Sequence, residues 1–505
     1  MQRLFLLLAL IPAMAYSRTE IKVALSSMPS NLNPFYSTDA NSQNINRLVY
    51  RSLLDFDREM RPFCDACSKF NNVVSNDGKQ KVYFKLRDDL SFHDGSPLSA
   101  VDVENSLKYF QSKEIGSVFQ SVFSKIIKIN IISKFEIEFF YDRFDYDNLG
   151  NLSLLRIFKL KEGYQKDFDP KYFIGSGDYW YNIFEPNSIS VDSLDKQGKS
   201  FLFKVVRDET TAALKLMNDE VDISIANMSP RKIKWLKSNA KENLDLSISE
   251  GSNYVYLNIN HENKLLKKHK VRQAIASSIP LNEIIDYRLN GFVERANSIF
   301  APSFKRYYSP VKALNYDLST AEKLLTEIGA EKKDGVFYFE GKPIEFDLLI
   351  SSNKNTFETA KIIENELSRS GIKINLVMLE WGTFMRRYKA GQFDLVLGQW
   401  VGFTGPGILN YIFHSDSLPP NGGNRGRYKN QAFEDYYARS LITGNEEERS
   451  QLIKSAVETV FKDVAYISLW HPKVIWIKKK CITKLRPFSN GSFLALKEAK
   501  SLCQK

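Results

Sequence analysis

At 505 residues with a formal charge of +11, the chain has length for roughly two to four domains and a core that needs no staples. Its 70 Lys and Arg are interleaved with 59 Asp and Glu, and only Lys478-Lys479-Lys480 and the Lys264 to Lys270 stretch are locally dense. That distribution argues against a nucleic-acid-binding face and suits a solvated surface.

The first fifteen residues, MQRLFLLLALIPAMA, place Arg3 before an apolar run from Leu4 to Met14 and end on Ala13-Met14-Ala15. This is the layout of a signal peptide over residues 1–15, cleaved near Ala15. The run falls short of the roughly 20 residues a spanning anchor needs. The mature chain is therefore read as exported and then free of the membrane, in an oxidising envelope compartment. There its four cysteines, Cys64, Cys67, Cys481 and Cys503, could all pair. Three connectivities are open, and proximity favours Cys64 with Cys67 and Cys481 with Cys503. Cys64-Asp-Ala-Cys67 also has the spacing of a redox dithiol, though it lacks a strand-then-helix frame.

IKVALS opens the mature chain as a strand, and MPSNLNPF follows as a turn. Ile45, Leu48, Val49 and Leu53 are at helical spacing. KVYFKLR (81–87) and FEIEFFY (135–141) alternate as strands, and between them Ser99-Ala100-Val101-Asp102 is a capping pattern that starts a helix over 100–110. Asp208 is expected to cap a helix with Leu214, Met217 and Val221 on one face, ending near Asn218-Asp219 and leading to a strand, VDISIA (221–226).

From IEFDLLI (344–350) the pattern is strand, helix (356–369, closed by Gly371), strand (IKINLVML), helix (381–389, closed by Gly391) and strand (393–401). These lengths predict parallel βαβ units. Ligands of such sheets sit at the carboxyl ends of strands, which puts the uncharged loop at 402–407 at a candidate site.

Catalytic and metal-binding patterns are missing. The five histidines, His93, His261, His269, His414 and His471, show no ligand spacing, and no GxSxG elbow, Walker loop or strand-borne GxGxxG occurs. His261 and His269 are read as surface residues. No enzyme activity, metal or cofactor is expected.

Several segments in order resemble one family. Asn31-Leu32-Asn33-Pro34, the stretch from Phe92-His93-Asp94-Gly95 to Val103, Gly175-Ser176-Gly177-Asp178-Tyr179, Val271-Arg272-Gln273-Ala274-Ile275, and Tyr316-Asp317 with Ala321 and Leu324-Leu325 are similar to motifs of the extracytoplasmic solute-binding proteins, family 5, of ABC importers. That family includes dipeptide-, oligopeptide- and nickel-binding proteins. The resemblance implies an α/β, type II-like periplasmic binding protein whose two lobes, with mixed sheets, are joined by two hinge strands. Residues 16–50, 165–255 and 480–505 would form lobe I, 51–164 its inserted subdomain and 256–479 lobe II. Cys481 and Cys503 would then share one returning segment.

The implied function is capture of a peptide or peptide-like small solute between the lobes and delivery to an inner-membrane ABC permease, by a periplasmic monomer without nucleic acid. The implied ligand contacts are Asn31, Leu32, Trp381, Tyr388, Lys389, Gln399, Trp400, Val401, Gly402, Phe403 and Thr404. Arg386 and Arg387 flank them, with one or two side chains of that helix expected to face the cleft. In peptide-binding members an aspartate three residues after the tryptophan holds the peptide amino group; here Trp400 is followed at that spacing by Phe403. Capture of nickel or haem, a Cys64/Cys67 redox factor and a non-transport envelope module remain as alternatives.

Overall fold

The computed structural model describes residues 19–503 apart from 76, 196–197, 227, 241–242 and 421. The expected signal peptide lies outside the described residues. Two large mixed sheets organise the chain. The first runs Tyr179–Glu185, Ser188–Ser193, Ser200–Val205, Glu20–Leu25, Ile223–Ser224, Val474–Lys479 and Leu244–Ser249. The second runs Val293–Arg295, Tyr466–Pro472, Tyr254–Ile259, Leu395–Trp400, Glu345–Ser351 and Lys373–Leu379.

The chain crosses between the sheets twice, once between Ser249 and Tyr254 and once at Lys473. The return therefore comes earlier than the motif boundaries imply: residues 474–479 pair with Leu244–Ser249 in the first sheet, so they belong with lobe I rather than with the expected 256–479 unit. Burial on both faces holds the strand there, with Trp476 in one core cluster and Ile477 in another. The nearby lysines are neutralised locally, Lys478 by Asp245 at 3.0 Å and Lys479 by Asp222 at 2.8 Å. The inserted segment has its own four-stranded sheet, Cys67–Val74, Gln80–Leu86, Glu136–Tyr141 and Ile126–Ser133.

The βαβ reading is seen in the second sheet. Glu345–Ser351 is parallel to both Lys373–Leu379 and Leu395–Trp400, with helices Lys354–Arg369 and Trp381–Lys389 between them. The capping box at Ser99 and Asp102 is present. Asp208 caps Glu209–Met217, but that helix buries Ala212, Ala213 and Leu216, while Leu214 is 45% exposed. Small alanines let this face sit close to the first sheet, a fit that spacing of large apolar residues does not reveal.

Cys64 is bonded to Cys67 and Cys481 to Cys503. Cys67 is buried at the start of a strand, with its Sγ 3.3 Å from the Leu53 carbonyl. Cys64 closes one strand and Cys67 opens the next, so among the described residues no helix starts at either cysteine to give the frame a redox dithiol usually has. The second bridge fastens the chain end beside the paired strands Ile482–Thr483 and Lys500–Ser501. Replacing Cys481 and Cys503 by serine is expected to lower stability by about 3 kcal/mol, read as a urea midpoint shift that reductant reproduces in the parent protein. An unchanged midpoint would show that the bridge adds nothing to the paired strands.

Candidate functional site

Leu395–Trp400 is the element around which the site is built. On one side it pairs along its whole length with Tyr254–Ile259. On the other, Glu345–Ser351 reaches only Leu395 and Val396. Among the described residues, then, Leu397–Trp400 has a ladder partner on one side only. Its other edge faces a cavity of about 660 Å³, lined by Gly398, Gln399, Trp400 and Val401. Backbone N–H and C=O groups left on such an edge suit an extended chain laid alongside.

Both lobes contribute to the cavity. Ser229, Pro230 and Arg231, at the start of helix Pro230–Asn239, come from lobe I; Trp381, Tyr388, Arg425 and Trp470 come from lobe II. Arg231 lies 3.8 Å from Glu358, which also pairs with Arg288, so an ion pair spans the mouth between lobes. Arg231 is largely exposed, and solvent screening leaves this link weak.

Aromatic side chains make the wall. The Glu380 carboxylate accepts from Gly382 N at 2.8 Å and caps helix Trp381–Lys389, which leaves Trp381 61% exposed at the cavity. A large aromatic surface held in water is a ready contact for a ligand. Tyr388, two turns on, is buried, with its hydroxyl 2.8 Å from that of Tyr256 and accepting from Asn258 Nδ2 at 3.2 Å. The Trp400 ring stacks on Tyr256 at 5.9 Å. The guanidinium of Arg425 sits 4.3 Å from the Tyr388 ring centre and 5.0 Å from that of Trp400.

The expected contacts separate into two groups. Trp381, Tyr388, Gln399, Trp400 and Val401 come together on the cavity. Lys389 is exposed and, like Arg386 and Arg387, is not part of its lining; of that helix's polar run only Tyr388 faces in. Asn31 and Leu32 are absent from the lining as well. The Asn31 side chain accepts from Asn33 N at 2.9 Å to shape a turn, and Leu32 is buried in the first lobe's core.

Gly402, Phe403 and Thr404 lie around a separate depression of about 330 Å³ shared with Asp147 and Gly150 of the inserted subdomain. Phe403 is turned inward, its ring stacked on Phe304 at 5.3 Å. The loop and the insertion approach closely: a Cβ on Gly150 would lie 2.3 Å from Thr404 Oγ1, and one on Gly407 2.1 Å from Asp147 Oδ1. Burial, reinforced by Asp145 and opposed by Lys125, pushes the Asp147 carboxyl up to about 6. The loop thus has two jobs, a strand end facing the cleft and a turn that abuts the insertion.

Residues 71–417 match the family model described as bacterial extracellular solute-binding proteins, family 5. The chain belongs to that family. Family 5 relatives span most of it: the oligopeptide-binding protein AppA of Bacillus subtilis is 24% identical over 88% of this chain and 84% of its own. The glutathione-binding protein GsiB of Escherichia coli is 24% identical over 94% and 93%. Among solved structures, NikA from Brucella suis in complex with Fe(III)-EDTA superposes with a TM-score of 0.81 at 19% identity, covering 95% of this chain and 99% of that one. AppA with a bound nonapeptide gives 0.73 at 20% identity, covering 96% and 100%. These likenesses establish the two-lobed family 5 fold.

One contributor to the family 5 cleft, Arg425, escaped the sequence reading. It lies in GGNRGRY, a stretch without periodicity, and only the fold brings it to the wall. The charge of the residue was the available signal, but nothing local distinguished it from Arg427, which pairs with Glu262 at 3.1 Å.

Proposed function

We propose that this family 5 protein binds a peptide or peptide-like small solute in the interlobe cleft and presents it to an inner-membrane ABC permease. The observation that carries the reading is the half-paired strand edge at Leu397–Trp400, which borders a cavity lined by Trp381, Trp400 and Trp470. Backbone hydrogen bonds to that edge would supply affinity for main-chain amides, and the flat rings would accept varied side chains. The names of AppA and GsiB, an oligopeptide and a glutathione binder, support the same class.

Export to the periplasm with cleavage near Ala15, and action as a monomer, complete the proposal. Asn31, Leu32, Lys389, Gly402, Phe403 and Thr404 have no direct contact with the solute in it, whereas Trp381, Tyr388, Gln399, Trp400 and Val401 do. Native mass spectrometry of freshly purified protein tests it. A co-purified or added peptide of two to about nine residues is expected as an adduct that dissociates on activation. Failure to retain any peptide, with retention of a sugar or a bare metal ion instead, would replace the ligand class.

A further inference from the structure

We propose that Arg425 is a specificity-determining residue that grips a carboxylate of the bound solute against the Tyr388–Trp400 wall. The assignment rests on the cleft reading above and sharpens it. Arg425 is 7% exposed and lines the cavity. Its guanidinium is flanked by two rings, which fix the plane of the fork before any ligand arrives. Its Nε is buried with no hydrogen-bond partner, and among the described residues no carboxylate makes an ion pair with it.

Other buried arginines show what is missing. Arg272 takes Asp463 at 2.8 Å, and Arg449 pairs with Glu446. Arg156 is also buried with no ion pair among the described residues, and its Nε and Nη1 are unpartnered, but its Nη2 donates to Gln43 at 3.1 Å and it is no part of the cleft lining. The hydroxyls of Tyr388, Tyr256 and Tyr466 offset the desolvation of this guanidinium, and an incoming anion would add the full counter-charge that the wall lacks. Planar carboxylates meet its fork with two parallel hydrogen bonds.

The rest of the lining points the same way. Its charged residues are Arg231, Arg288, Arg425 and Glu358, and Glu358 is already shared by the first two. The wall therefore offers a solute amino group no free carboxylate, and it offers a solute carboxylate a free cation. Phe403, which sequence resemblance sets at the aspartate position of peptide binders, is no part of this lining and faces Phe304. A peptide carboxyl terminus, an acidic peptide side chain and an anionic metal chelate share this chemistry.

The test uses the mature protein and pools of di- to pentapeptides of neutral side chains, with free or amidated carboxyl termini, plus Fe(III)-EDTA as the chelate probe. Retention is measured by native mass spectrometry at several pool concentrations. The parent is expected to prefer free acids over amides by at least about tenfold, the size of one charge-assisted contact. Arg425→Met should abolish that preference by weakening only the acids, while Arg425→Lys keeps part of it. If Fe(III)-EDTA alone shows the Arg425-dependent loss, the carboxylate belongs to a chelate rather than a peptide.

Equal binding of acids and amides by the parent overturns the assignment and leaves the peptide cleft standing, provided Fe(III)-EDTA binding also ignores Arg425. An undiminished acid preference in Arg425→Met overturns it as well. Retention of none of the probes by the parent removes the cleft reading together with the assignment. Thermal melts of both variants report folding; should Arg425→Met not fold, the acid-to-amide ratios of the parent and Arg425→Lys decide.

Discussion

Arg272→Met is expected to lower the stability of lobe II by about 3 to 5 kcal/mol, the range for stripping one partner from a buried ionic network. Arg272 is 4% exposed on helix His269–Ser277. Its Nε donates to the carbonyls of Asp463 and Val464 at 3.2 and 3.1 Å, and Nη1 to those of Leu266 and Lys267 at 3.2 and 3.0 Å. Nη2 reaches the Asp463 carbonyl at 2.6 Å and its carboxylate at 2.8 Å. One side chain therefore satisfies the turn before its own helix and the turn after Glu446–Lys462. Methionine fills the space and strands every one of these acceptors. Arg272→Lys should fall between the two, since an ammonium cannot reach both turns in one plane. A urea midpoint for Arg272→Met equivalent to less than about 1 kcal/mol, the worth of an ordinary hydrogen bond, would show that water replaces the network.

The second large effect is one of pH. His261 follows the strand Tyr254–Ile259 and tucks under the Tyr428 ring at 5.2 Å, with its Nε2 placed to donate to the Ala465 carbonyl at 3.0 Å. Burial, with Arg272 nearby, pushes its pKa down to about 4, against the opposing pull of the Ala465 carbonyl and Asp463. A depressed folded-state pKa means that the unfolded chain takes the proton more readily. The contribution is complete above the ordinary value near 6.5 and is lost as pH falls from there to about 4. Over that window it amounts to about 3 kcal/mol.

Asp147 works in the opposite sense. Its raised pKa favours the folded state at low pH, and that help fades as pH rises through about 6. Urea unfolding of the parent and of His261→Asn at pH 7 and pH 4.5 separates the two. The parent should lose more stability on acidification than the variant by most of those 3 kcal/mol. Equal losses would mean that His261 charges without penalty.

Much of the second lobe was legible because its signals are local. From Glu345 to Trp400 the apolar periods and the glycines at 371 and 391, both at positive φ, set strand and helix limits to within a few residues. The family motifs were legible too, and the structure gives physical reasons for two of them. Arg272 ties two turns. Gly177 has room for no side chain, since a Cβ there would lie 2.4 Å from the Leu48 carbonyl oxygen.

Contacts made across long separations were not legible. His261 is half-buried under Tyr428 and Ala465, far along the chain, so a histidine in a lysine-rich stretch was read as surface. Phe403 is captured by Phe304 and Phe300, an aromatic cluster no local pattern announces. Arg425 reaches the cleft only because the sheet sets Trp400 beside the Trp381–Lys389 helix. The uncharged loop was rightly placed at the end of a parallel strand, but its division into a cleft wall and a lobe contact depends on Asp147 and Gly150.

Closure of the lobes on a solute is the central claim, because a ligand shifts the population toward the closed state only by touching both lobes. Small-angle X-ray scattering of the mature protein, with and without the free-acid peptide pool at saturation, tests it most directly. The account predicts a smaller radius of gyration with peptides, and with amidated peptides the same contraction only at a concentration about tenfold or more higher. An unchanged radius with peptides that native mass spectrometry shows to be bound would contradict it, because the solute would then sit on one lobe alone.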